Sequence, residues 1–349
     1  MKRIGIVLIG IAIVVGIGVI VLWHGDWDRS PQRTESATEQ HSESAPVKER
    51  ETATTMPDMN NVKEGKVING SQATAYEEQF PTNLQEHIRS VAGLDANKGY
   101  TYRFSALRQL GSDLSRKNIE GLYAFLHARY EDHKDEMGLL EFESVRNDTL
   151  DLLLRQTQLP PDLGKNMVAI FRDHEQNKVW RDYCVQHFAP YCKAKWNNGD
   201  ISLDDPDWIA VSNAFFDAVK ETDSTIAGTA LIGMEMLSQT HTVLSRETVG
   251  QLASTLALDD NCGEPARITA LCVCGQLKKT EILPTVRFLA QTAETIPLQI
   301  AAIATLGDLG DSIDKEYLET LLTAGNERLH PAAKSALERL TNANPKTRR

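Results

Sequence analysis

Residues 297–311 read PLQIAAIATLGDLGD, and residues 317–322 read YLETLL. Pro297 stands where a helix tolerates a missing N–H, and Leu298, Ala301, Ala302 and Leu306 follow at helical spacing. Gly307 and Gly310 then fall where the helix should stop. Tyr317, Leu318, Leu321 and Leu322 supply the apolar face of a second helix. The same pattern recurs. Pro265-Ala266-Arg267-Ile268-Thr269-Ala270-Leu271 aligns with Pro297-Leu298-Gln299-Ile300-Ala301-Ala302-Ile303 and with Pro331-Ala332-Ala333-Lys334-Ser335-Ala336-Leu337, at spacings of 32 and 34 residues. Gly275-Gln276-Leu277 matches Gly307-Asp308-Leu309, and a fainter copy begins near Ile226, with Ala230-Leu231 in the matching place.

One helix pair cannot bury its apolar face alone, so several must stack. Proline is expected to open the first helix of each pair, with alanines letting its partner approach and larger aliphatics filling the seam between pairs. These residues resemble HEAT-like repeats of the armadillo-type helical superfamily over 226–340. Cys272 and Cys274 stand where that pattern has small or aliphatic residues, and Lys278-Lys279 replaces its Gly-Asp. The resemblance implies an elongated surface for binding protein and transfers no active site.

Upstream, from about residue 82, period-two alternation is absent and apolar residues keep helical spacing: Phe104, Leu107, Leu110; Leu122, Phe125, Leu126; Leu150, Leu153, Leu154. Asp205-Pro206 is a cap followed by a first-turn proline; Pro161 and Ser245 stand similarly, and Gly111 and Gly275 mark further stops. The expected fold is all-α: irregular helix pairs over 81–224, then an α-solenoid of HEAT-like repeats over 225–349.

The first 80 residues read differently. Ile4 to Leu22 are all Ile, Val, Leu, Gly or Ala. As a helix they span roughly 28 Å, close to the hydrocarbon thickness of a bilayer. Lys2 and Arg3 precede the run, Asp26 and Asp28 follow it, and Trp23 and Trp27 suit the interface. The run is too long for a signal peptide, and Leu22-Trp23-His24-Gly25 offers no small-residue cleavage site. Residues 1–28 are therefore expected to form a single-pass anchor with a cytoplasmic N-terminus and an extracytoplasmic remainder. Ser30–Thr55 is polar and nearly free of apolar residues, so 29–80 reads as a disordered linker. Setting aside Lys2 and Arg3, the net charge of −11 becomes −13 for everything beyond the run. Such a surface repels phosphate backbones and argues against nucleic acid.

Chemistry-bearing residues are sparse. Cys184 and His187 lie three apart on one expected helix face, a spacing that suits two zinc ligands; His174 and Cys192 are the nearest completions. Pro190 should break the helix between His187 and Cys192, and a buried Cys with a satisfied His at a helix interface is the preferred reading of this pair over a metal site. His127, Glu131, His133 and Asp135 read as a solvated helix end, and Asp204, Asp205 and Asp207 as first-turn acids. Of five cysteines, Cys184 with Cys192, or Cys262 with a neighbour, are the bridges to test; Cys272 and Cys274 point apart. Asn69-Gly70-Ser71 and Asn147-Asp148-Thr149 match the glycosylation triplet. Phosphate-loop, nucleophile-elbow and zincin motifs are absent, and no cofactor is implied. The expected function is a non-enzymatic, membrane-tethered scaffold that binds another protein. An enzyme or metal protein built around 174–192, and a self-associating structural protein, are the alternatives.

Overall fold

In a computed structural model of the protein, the described residues are 76–95, 99–197, 199, 204–240 and 244–343. The anchor over Ile4–Leu22 and the linker up to residue 75 lie outside them, as does the Asn69 triplet. No helix among the described residues is long and apolar enough to cross a membrane. The linker boundary moves: Tyr76 and Phe80 are buried, and Tyr76 donates to the Ala92 carbonyl at 2.9 Å. Two aromatic side chains are enough to draw 76–80 into the core.

The fold is all-α, with fourteen helices and no strand among the described residues. They are α1 (Glu86–Ala92), α2 (Tyr100–Arg108), α3 (Arg116–His127), α4 (Leu139–Leu154), α5 (Leu163–Arg172), α6 (Lys178–Asn197), α7 (Pro206–Ala218), α8 (Ile226–Thr240), α9 (Arg246–Leu258), α10 (Glu264–Gln276), α11 (Leu283–Thr292), α12 (Ile296–Leu309), α13 (Ser312–Ala324) and α14 (His330–Ala343). The even-numbered helices make one continuous row, each packed on the next from α2 to α14. Helices α1, α3, α5 and α7 pack on one another as a second row. Helices α9, α11 and α13 instead rest on the first row. The row crosses residue 224 without a break, because α8 packs against α6 as well as α10.

The helix pairs are displaced by one helix from the expected phase. The Pro265 helix, α10, lies closest to α9 before it rather than to α11 after it, and α12 pairs likewise with α11. The sequence repeat is real, but proline opens the second member of each pair. Local start signals are obeyed: Asp205 caps α7, its side chain accepting from the Asp207 and Trp208 amides, and Pro206 follows at the first position. Pro190, by contrast, does not end its helix, for α6 continues to Asn197. Burial of Phe188, Ala189, Tyr191 and Cys192 around it outweighs the roughly 3 kcal/mol that an interior proline costs.

Two of the four expected glycine stops are crossing points instead. Gly275 and Gly307 lie inside α10 and α12. A Cβ at Gly307 would sit 2.6 Å from the Ala336 backbone of α14, closer than atoms pack. Gly310 is the residue that follows α12, and Gly111 lies in an open loop.

Gly307→Ala is therefore expected to destabilise by about 1–3 kcal/mol through overpacking, although alanine is the better helix former. Gly111→Ala, whose Cβ meets nothing within 4 Å, should be neutral or slightly stabilising. Urea titration of the two variants against the parent checks the pair, and equal midpoints would contradict the close crossing. Ile303, fully buried in α12, gives a second test: Ile303→Asp places an unpaired charge in the row and should remove about 4 kcal/mol or more. A thermal melt unchanged in that variant is incompatible with this packing.

Candidate partner-binding surface

Close packing leaves each first-row helix from α2 to α12 one narrow stripe facing solvent, spaced three or four residues along the helix. On α2 it carries Thr101, Tyr102, Ser105 and Arg108; on α4, Leu140, Ser144, Asp148 and Asp151; on α6, Val179, Tyr183, Gln186 and Pro190. On α8 it carries Thr229, Ile232, Met236 and Gln239, and on α10 Thr269, Cys272 and Gln276. Ile226, Ala227, Ala230, Leu231 and Met234 of α8 are all fully buried. The stripe is all this helix has left to present.

Polar contacts join neighbouring helices beside the stripes. His187 of α6 lies 3.1 Å from Asp151 of α4 through Nε2, and its Nδ1 donates to the Tyr183 carbonyl at 2.7 Å. Thr225, just before α8, donates to Asp182 of α6. Arg339 of α14 donates to the Ala304 carbonyl of α12 at 2.7 Å and lies 3.3 Å from Asp308. Burial pushes the Asp182 carboxyl up, against the lowering effect of hydrogen bonds from Thr225 and Thr229. Asp148 is raised by burial and then by Asp151, with Arg155 and Arg108 opposing.

Five large apolar side chains are exposed on this row: Tyr102, Leu140, Val179, Ile232 and Met236. Leu140 is the most open, at 73 %. Beside it an open depression of about 530 Å³ is lined by Gly99, Tyr100, Thr101, Tyr102, Ser105 and Glu141. Ile209, Leu258, Phe288 and Ile313, the other exposed large apolar residues, stand singly on α7, α9, α11 and α13.

The sequence-marked chemical residues are placed apart from any shared site. Cys184 is fully buried in α6, and burial raises its thiol well above the usual range. Both ring nitrogens of His187 already face oxygens, so neither is open to a metal. Cys192 is buried with its thiol pushed up to about 12, while His174 is exposed. Cys184 and Cys192 are separated by two turns of one helix, about 12 Å, too far to bridge; all five cysteines are free thiols. Among the described residues, no group of three or more His, Cys, Asp or Glu side chains could hold a metal ion. Asn147-Asp148-Thr149 lies inside α4 with Thr149 buried, which closes that triplet to a modifying enzyme.

Sequence reading missed a set of buried arginines. Arg146 has no exposed surface; it donates to the Leu126 and Ala128 carbonyls at the end of α3, to Gln176, and twice to Glu143. Its guanidinium lies between Phe142 and Trp180, 4.5 and 4.4 Å from the ring centres. Arg181 donates to the Phe171 carbonyl at the end of α5, and Arg267 to Ala257 at the end of α9. In each case an arginine of a first-row helix satisfies the terminal carbonyls of the helix before it, where the dipole favours a cation. The one available signal was position: Arg181 and Arg267 are both fourth in their helices and ten residues beyond the carbonyls they reach.

His133 was also misread. It is buried rather than solvated, packed edge-on to Tyr76 and Phe125, with Nδ1 3.1 Å from Arg103 and 3.0 Å from Glu136. Its Nε2 has no hydrogen-bond partner. His127, at the surface, meets Asn166 at 2.9 Å instead.

No family model matches the chain, and no curated protein or solved structure matches it either.

Burial lowers the pKa of His133, with Arg103 adding to the effect and Glu136 and Asp132 opposing it. The unfolded chain therefore binds a proton that the folded one resists. Stability should fall as the pH drops below about 6.5, by at most about 1.4 kcal/mol per pH unit from this residue. In His133→Gln that part of the slope should vanish between about pH 6.5 and 5. Parallel denaturation series at each pH check it, and identical slopes would rule out a neutral buried imidazole.

Proposed function

We propose that the chain is a non-enzymatic, membrane-tethered scaffold of HEAT-like, armadillo-type helical repeats. Its first-row face binds another protein outside the cytoplasm. The observation that carries the reading is the unbroken row α2–α14 with Tyr102, Leu140, Val179, Ile232 and Met236 exposed along it. Singly exposed apolar residues need no explanation, whereas several on successive packed helices suit a protein interface.

The tether rests on sequence: the 19-residue run Ile4–Leu22, with Lys2 and Arg3 before it, fits a single span with the C-terminal part exported. A protein held to a membrane meets other membrane-bound proteins at raised effective concentration, so modest affinity suffices. The buried thiols and the engaged His187 favour this reading over an enzyme around 174–192.

A photo-crosslinking side chain at Ile232 of the full-length chain, in its native membrane, should capture a discrete second protein. The same group at Phe288, on α11, should not. Capture of only a further copy of this chain would favour the self-associating alternative. Equal yields from the two positions would sink the scaffold reading.

A further inference from the structure

We propose that residues 76–80 are a proton-released latch, closed over His133 while its imidazole is neutral and opened when the ring is protonated. The latch works the same whatever the first-row face binds. His133 is 1 % exposed and walled by three aromatic rings. Phe125 of α3, Phe142 of α4 and Tyr76 lie 6.4, 4.8 and 4.8 Å from it, centre to centre. Its Nδ1 is 3.1 Å from the Arg103 guanidinium and 3.0 Å from Glu136, whereas its Nε2 meets no hydrogen-bond partner. The neutral ring tolerates this arrangement, because Nδ1 can accept from Arg103 and only an uncharged N–H is left over. In the imidazolium both nitrogens donate. Nδ1–H is then pressed against the buried Arg103 cation, and Nε2–H becomes a charged donor with no acceptor.

The surrounding groups do not rescue that charge. Glu136 and Asp132, from the segment joining α3 to α4, favour it, but Glu136 also accepts from Arg103 of α2. Beyond Phe142 stands the Arg146 guanidinium, 4.5 Å from that ring, so a second cation on Phe142 is opposed by the first. Tyr76 brings a neutral phenol already committed to the Ala92 carbonyl at 2.9 Å. Burial, with Arg103, outweighs the two carboxylates and holds the imidazole below its ordinary range. Relief requires water at Nε2, and one wall must move. Phe125 and Phe142 belong to helices that each pack on several others. Residues 76–80 are a single turn, in which the Gln79 and Phe80 amides donate to the Tyr76 and Glu77 carbonyls. Tyr76 and Phe80, 5.0 Å apart between ring centres, seat it. Opening this turn wets the imidazole without breaking a helix crossing. The freed ring regains its ordinary pKa near 6.5, so each pH unit below that favours the open form by up to about tenfold. Opening also lengthens, by these five residues, the chain that leads into the helices.

The test is hydrogen–deuterium exchange of the full-length chain in neutral detergent micelles, read by mass spectrometry between about pH 7.5 and 5. Each rate is corrected for intrinsic exchange at that pH. Protection of 76–80 should fall by about tenfold or more across the range, while the amides of α4 and α6 keep theirs. Tyr76→Phe keeps the ring but loses the bond to the Ala92 carbonyl, so its release should move to higher pH. His133→Gln should abolish the pH dependence. Protection of 76–80 that ignores pH, or that falls only together with α4 and α6, overturns the proposal. So does release of Tyr76→Phe at the wild-type pH, or a wild-type pH dependence in folded His133→Gln. Should His133→Gln fail to fold, the Tyr76→Phe shift decides.

Discussion

Close packing of the first row constrains everything else in this molecule. A helix such as α8 is bordered by α6, α7, α9 and α10, and most of its surface is buried before solvent is reached. Its apolar residues cannot form the single amphipathic face of a surface helix. They surround it, and polarity is confined to the remaining stripe. The glycines and alanines follow from the same demand. Gly228 of α8 faces Thr269 of α10, Gly275 faces Asp308, and Gly307 faces Ala336. Each marks a crossing where a larger side chain would hold the axes apart. What the protein shows its surroundings is what packing could not use.

The second constraint lies at the helix ends. Each hairpin directs the terminal carbonyls of one helix toward the body of the next, where water is excluded and an unpaired acceptor costs about 1–3 kcal/mol. Arg146, Arg181 and Arg267 answer this with a guanidinium. Burying such a charge is itself expensive, and a buried pair adds little net stability over an apolar substitute. Glu143 shows the tension: burial raises its carboxyl while Arg146 holds it down. These arginines fix which carbonyls meet which helix, and so the phase of the hairpins. Arg103 acts alike at the first hairpin, where it lies against Gly93, whose left-handed backbone (φ 73°) ends α1. A side chain at Gly93 would occupy the guanidinium's place.

How far the sequence was legible follows from which of these features are periodic. The all-α class, the repeats at Pro265, Pro297 and Pro331, and the Asp205 cap were readable, because each depends on residues close in the chain. Pairing phase was not, since the repeat fixes a spacing of 32 or 34 residues without saying whether a proline-opened helix looks forward or back. Gly275 and Gly307 read as stops because a glycine near a helix end and one at a helix crossing are the same letter. Arg146 in EFESVRND and His133 in EDHKDE sit among charges and look solvated; only the arrival of distant aromatics, Trp180 for one and Tyr76 for the other, buries them. The Cys184 and His187 pair failed as a site for the converse reason. Helical spacing placed them on one face, but packing took the thiol inward and gave the imidazole to Asp151.

The stripe surface was the least legible part, and the reason bears on how it would work. Leu140, Val179 and Ile232 lie 39 and 53 residues apart in sequence, so no local pattern links them. They come onto one row only when the helices pack. Once formed, the row is stiffened by helix crossings without spare volume and by guanidinium groups tied to several elements at once. Most of the ordering has then been done before a partner arrives, and a rigid array loses little side-chain entropy on binding. A flexible partner segment would bear the remaining entropic cost itself. Affinity on such a surface should therefore depend on the partner's spacing of apolar and charged groups far more than on any rearrangement of the scaffold.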